Sequence, residues 1–299
     1  MSGRTTGMTI GDRALPYLLL IPALVVGGIV LIYPLVNGIL LSFTGYTFIQ
    51  PQYNWVGVKN FVILFTSPIY WEVFLNTITL TFSAVALQLC MGLSLALLLN
   101  TELPGRGAFR SGIFFIWIIP EIVTAMVWMI LLNSEFGMIN FILKYIGLIR
   151  ENVIWLGRPV EAKLSIIMVY AWRGTPFFMV MILAALQTIP STIIDASRID
   201  GAGSTQRFFK IVLPYIRDIL ILCCLLSVVR LFQDITQIVI LTNGGPIYST
   251  TTLAVHVYKE AFIGLQMGRA ASIGVTWLIF LFILAIFYIR VVTKGEFRT

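Results

Sequence analysis

Six stretches of this chain, roughly 14–43, 74–99, 111–132, 164–186, 216–241 and 270–292, are each apolar and long enough to cross a bilayer, for which about 20 residues suffice. In lipid every backbone N–H and C=O must be bonded within its own segment, so these stretches are expected to be helices. The expected fold is an all-α integral membrane bundle of about six transmembrane helices. Hydrophobic residues make up 59% of the 299 and charged ones 11%. A water-soluble fold cannot cover that much apolar surface with so few charges. No connection is long enough for a large soluble domain, and residues 1–299 read as one transmembrane domain.

The net charge of +7 is carried mostly in short loops beside the apolar stretches. There basic residues set membrane orientation, so nucleic acid is not an expected partner. With the N-terminus inside, eleven Lys and Arg, Arg4, Arg106, Arg207 and Arg298 among them, fall on the cytoplasmic side and seven, including Lys59, Lys144 and Arg269, on the other. The balance predicts a multi-pass membrane protein with both termini cytoplasmic. Arg4 and Arg13 before an apolar run imitate a signal peptide. The run, however, continues to about Phe43, contains Pro22 and Pro34 and has no small-residue cleavage site, so it reads as an uncleaved first span. Cys90, Cys223 and Cys224 all fall within spans, where neither a disulfide framework nor a zinc site is expected, and His256 reads as a loop residue.

Between the spans, Tyr53 to Pro68 carries aromatics and an amphipathic piece, and Glu102 to Arg110 is a tight turn containing Pro104 and Gly105. Short interfacial helices are expected between Asn133 and Lys163, punctuated by Gly137, Gly147, Gly157 and Pro159.

The loop 187–214 has a more particular pattern. Ser191 or Thr192 can cap a short helix running to Asp200, with Asp195 near its positive end, and Gly201 permits a sharp exit. A second short helix from about Ser204 places Phe208, Ile211 and Val212 on one stripe, with Pro214 opening the fifth span. On shape alone, such a loop is either a rigid peg or an amphipathic interfacial element anchored by Arg207 and Lys210.

Asp195-Ala196-Ser197, then Gly201, then Ile211 and Leu213-Pro214, resemble the "EAA" signature of the inner-membrane permeases of binding-protein-dependent ABC importers. Gly107-Ala-Phe-Arg-Ser111, Gly137-Met-Ile-Asn140, Ala185-Leu-Gln-Thr-Ile-Pro190, Leu241-Thr-Asn-Gly-Gly-Pro246 and Gly268-Arg-Ala-Ala271 extend the likeness over nearly the whole chain, toward the maltose-type carbohydrate branch. Asp195-Ala196-Ser197 in place of Glu-Ala-Ala keeps the charge and small size while shortening the acid. The resemblance implies a type I permease fold in a bacterial or archaeal cytoplasmic membrane, with a coupling helix that docks on a separate ATPase. It further implies a second homologous permease, two ATP-binding subunits and an extracytoplasmic substrate-binding protein. ATP and Mg would bind those ATPase subunits, and no cofactor or metal would bind this chain.

Charges inside a span are costly and face a bundle interior or a water-filled cavity. Glu121, Arg173, Arg230 and Asp234 are four such charges. Tyr170, Arg173, Gly174 and Phe177 recur at i, i+3, i+4 and i+7, so an aromatic, a cation, a gap and another aromatic share one helix face. Aromatic rings stack on a pyranose while fixed polar groups orient its hydroxyls, which suits a sugar. Arg230 and Asp234 are spaced by one turn, as are Glu121 and Ala125. By the resemblance, maltose-type permeases bind sugar at midmembrane with the positions aligned to Glu121, Ala125, Tyr170, Arg173, Gly174, Phe177, Arg230, Leu231 and Asp234. A neutral-sugar permease would carry uncharged residues where this chain has two cations and two anions. Two readings stand: a ligand bearing a uronate, sulfonate, phosphate or amine, or neutral couples of Arg230 with Asp234 and Arg173 with Glu121 lining a cavity for an ordinary sugar.

An enzyme is disfavoured, since the sequence has no metal-binding cluster, no Gly-x-Ser-x-Gly elbow and no catalytic residues in a recognisable setting. Gly201-Ala-Gly-Ser-Thr lacks the lysine of a phosphate-binding loop. An ion-coupled secondary transporter using Glu121 or Asp234 is the other transport reading, and it predicts uptake by this chain alone.

Overall fold

The computed structural model describes residues 10–101 and 104–296, so Arg4, Glu102 and Arg298, used above for topology and a turn, lie outside the described residues. The first span runs through α1 (Ile10–Gly27), a π-helical turn (Gly28–Ile32) and α2 (Tyr33–Ser42). The short α3 (Lys59–Thr66) precedes α4 (Pro68–Leu99), the second span. Both are amphipathic or apolar where the sequence pattern places them.

The third stretch is not one straight helix. It forms α5 (Arg106–Ile118) and α6 (Glu121–Leu131), bent by 97° at the break. Pro120 supplies the cause: it offers no N–H and biases Ile119 out of the helical region, so the chain turns and Glu121 begins a new helix. One interfacial helix, α7 (Met138–Tyr145), then precedes α8 (Pro159–Leu186), the most enclosed span. Buried Asn140 orders this connection by donating to the Val153 carbonyl (3.0 Å) while its Oδ1 accepts from Trp155 Nε1 (2.9 Å).

After α9 (Ser191–Ile199) the chain departs from the expected pair of short helices. Instead α10 (Ser204–Arg207), a π-helical turn (Phe208–Val212) and α11 (Leu213–Phe232) run on as a single 29-residue helix. Pro214 therefore lies within the helix and does not open it. In the turn before it the Leu213 N–H reaches back to the Phe208 carbonyl, a wider ring that absorbs the missing proline donor.

The fifth span also ends earlier than the apolar run suggests. It stops at Phe232, and α12 (Thr236–Leu241) follows a break. α13 (Leu253–Tyr258), a further π-helical turn (Lys259–Ile263) and α14 (Met267–Glu296), the sixth span, complete the chain. His256 belongs to α13 and not to a loop. It lines a cavity with Glu260 and Arg269, an ion pair at 3.8 Å. Burial holds its imidazole below the usual range, against the raising effect of Glu260.

The core centres on α4 against α8, with α11 packed on both. A Cβ on Gly92 would sit 2.4 Å from Phe178 Cβ and one on Gly174 would sit 2.2 Å from Gln88 Nε2, so these glycines permit the close approach of the two helices. Small residues at crossings play this part in membranes, where packing replaces the hydrophobic drive between helices. Leu19, Leu24, Leu31 and Phe282 point outward, as lipid-facing positions of a spanning helix should.

Candidate functional site: a midmembrane polar face joined to an exposed loop

The breaks in the third and fifth stretches meet beside α8. Glu121, first residue of α6, accepts from Gln237 Nε2 of α12 (3.1 Å) and lies 3.4 Å from Arg173 of α8. Asp234 occupies the break after α11, so the one-turn spacing from Arg230 does not put both on one helix face. Its Oδ1 accepts the Gln237 backbone N–H (3.2 Å) and the residue is 8% exposed. The expected Arg230–Asp234 couple is not formed within 4 Å among the described residues, whereas Arg173–Glu121 is. The reason is geometric: ending α11 at Phe232 turns Asp234 inward while Arg230 remains exposed.

Tyr170 is buried beside Asp234. Tyr170 Oη lies against the Asp234 carboxylate, while Arg173 Nε and Gln237 Oε1 are buried without a hydrogen-bond partner among the described residues. Each such atom costs about 1–3 kcal/mol. Such groups take a hydrogen bond from water or a ligand where the fold provides none. Ala125 and Leu231 are buried in the apolar core next to this cluster.

A pocket of about 170 Å³ opens alongside, lined by Gln88, Trp117, Gly174, Phe177, Leu226, Ser227 and Arg230. The Phe177 and Trp117 rings stack at 6.3 Å and 21°. The sequence reading missed Trp117, Gln88 and Ser227. Gln88 is fully buried, donates from Nε2 to the Tyr170 carbonyl (2.8 Å) and accepts from the Ser227 hydroxyl, tying α4, α8 and α11 together at pocket depth. A glutamine inside an otherwise apolar span was the signal available for it.

At the other end of the same helices lies the 187–214 loop. Ser191 is the first residue of α9 and no side chain caps it, contrary to expectation. Gly201 has φ +77°, the left-handed conformation that a helix exit requires and that glycine adopts without strain. Ser197 is buried and its hydroxyl donates to the Ile194 carbonyl, while Asp195 and Ala196 are exposed and Asp195 pairs with Arg198 at 3.0 Å. Arg207 Nη1 donates to the Ala202 carbonyl (2.8 Å), fastening the turn to the helix that becomes α11. Leu213 and Pro214 lie on that helix, and Ile199 stands out from α9 at 88% exposure.

A helical bundle with charged residues gathered between broken spans, and two of its walls continuous with an exposed loop, has the architecture of a membrane transport subunit. Residues 88–294 match the family described as "binding-protein-dependent transport system inner membrane component", and the chain belongs to that family of ABC importer permeases. It is 31% identical over 294 residues to the trehalose/maltose transport system permease protein MalF of Thermococcus litoralis, covering 98% of each chain. It is 30% identical over 293 residues to the sulfoquinovosyl glycerol transport system permease protein SmoG of Agrobacterium fabrum, covering 98% of this chain and 94% of that one. A chain in the crystal structure of a bacterial ABC transporter for the acidic polysaccharide alginate superposes with a TM-score of 0.81 over 97% of this chain and 98% of its own, at 23% identity, establishing the shared type I fold.

Proposed function

We propose that the chain is the permease of an ATP-driven saccharide importer, moving its ligand by alternating access past the Tyr170–Phe177 face. Glu121, Ala125, Tyr170, Arg173, Gly174, Phe177, Arg230, Leu231 and Asp234 would form or back the ligand site. Asp195, Ala196, Ser197, Gly201, Leu213 and Pro214 would form the coupling element, with the exposed Ile199 offering α9 an apolar contact on the ATPase. The trehalose/maltose and sulfoquinovosyl glycerol named for two relatives support a saccharide. In this reading the spans act as one transmembrane unit with both termini cytoplasmic. A second homologous permease, two ATPase subunits holding ATP and Mg, and an extracytoplasmic binding protein complete the machine.

One observation carries the proposal. α8 runs from the ligand face to the loop, and the helix Ser204–Phe232 returns from the loop to Arg230, so a displacement of α9 moves two walls of the site together. An ion-coupled carrier has no use for that linkage.

The test uses the reconstituted complex. Loaded binding protein should stimulate ATP hydrolysis, and Gly201→Val or Asp195→Lys should abolish the stimulation while the subunits still co-purify. Uptake by this chain alone under an ion gradient, or normal stimulation in both variants, would overturn it.

A further inference from the structure

Of the four midmembrane charges, Arg230 alone lines the pocket. Arg173 is engaged by Glu121 at 3.4 Å, and Glu121 is also held by Gln237. Asp234 is turned into the protein and bonded to the Gln237 backbone. Arg230 therefore has no carboxylate within 4 Å among the described residues, Glu121 and Asp234 acting on it only from further away, and it sits exposed near the end of a spanning helix. A guanidinium placed so within a membrane protein faces a water-filled path, an anionic ligand or a carboxylate of another chain.

The remaining lining distinguishes these cases. The stacked Trp117 and Phe177 rings make an apolar part of the lining, to which the Gln88–Ser227 pair adds a fixed amide and hydroxyl. At about 170 Å³ the pocket is smaller than the roughly 300–1,000 Å³ of drug-sized sites, which suits one sugar ring at a time. A guanidinium presents paired N–H donors matched to a carboxylate, sulfonate or phosphate. We propose that Arg230 is the specificity-determining residue of this pocket and selects a saccharide carrying an oxyanion, its ring lying against Trp117 and Phe177. The inference rests on the saccharide-permease reading above and adds the chemical class of the ligand.

The test is saturation-transfer NMR on the full complex in nanodiscs without the binding protein, which removes that subunit's own selectivity. The probes are cellobiose, its glucuronate-terminated counterpart and glycerol 3-phosphate. Wild type should bind the acidic disaccharide roughly tenfold or more tightly than cellobiose, as a charge-assisted pair predicts. Arg230→Gln should erase the difference and Arg230→Lys should keep part of it. Equal binding of both disaccharides by wild type, or a preference that survives Arg230→Gln, overturns the assignment and leaves the saccharide reading intact. Arg230-dependent binding of glycerol 3-phosphate with neither disaccharide bound overturns the saccharide class and leaves the anion contact standing. Loss of the second permease from the Arg230→Gln complex on size exclusion would place the partner carboxylate in that subunit and also overturn the assignment.

Discussion

Arg173 and Arg230 project from neighbouring spans, and among the described residues only the first has a carboxylate within 4 Å. Arg173 lies 3.4 Å from Glu121, with its side chain 11% exposed, in a group that joins α6, α8 and α12. Arg230 lines the adjacent pocket together with Gln88 and Ser227. Two arginines of equal charge thus differ in setting: one closes a joint between broken spans, and the other is proposed to meet the ligand. A buried ion pair adds little net stability over apolar packing, yet removing one partner strands the other. The difference between the two arginines can therefore be measured as stability on one side and ligand preference on the other.

The largest effect should come from Glu121→Gln, which strands Arg173. The cost should approach the low end of the ~3–5 kcal/mol seen for broken buried pairs, since the Glu121 side chain is 33% exposed. Thermal unfolding of the purified complex reports it, and adding Arg173→Gln should recover part of the loss. No recovery would mean that Glu121 acts through Gln237 instead. Gln88→Leu should cost less, about 1–2 kcal/mol, by leaving the buried Ser227 hydroxyl without its acceptor; the same melting experiment measures it. Arg230→Gln should change stability least, within about 0.5 kcal/mol, as for a side chain without partners in the fold. A loss above ~1 kcal/mol would break the contrast by showing that Arg230 is structurally tied.

Much of this was legible beforehand. Hydropathy located the five long apolar helices among the described residues, because twenty apolar residues have few fates other than a bilayer. The motif from Asp195 to Pro214 marked the exposed loop, and three of the four span charges, Glu121, Arg173 and Asp234, fall in the polar cluster of the candidate site. The straightness of the third stretch was misjudged, because hydropathy averages over Pro120 and takes no account of its backbone consequences. Arg230 and Asp234 were paired by spacing, an inference that holds only while the helix continues. It stops at Phe232. The capping role given to Ser191 or Thr192 failed for a related reason: Pro190 already ends the preceding segment in an extended conformation, so Ser191 falls inside the helix.

The sequence by itself determined that the chain lives in lipid, that it crosses as helices, and where its exposed loop and its span charges lie, since these follow from local composition, hydrogen-bond demand and residue type. Only the tertiary structure decided which charge meets which. Pairing depends on where helices break and how closely Gly92 and Gly174 let α4 approach α8, and those distances are set by contacts between residues far apart in the chain.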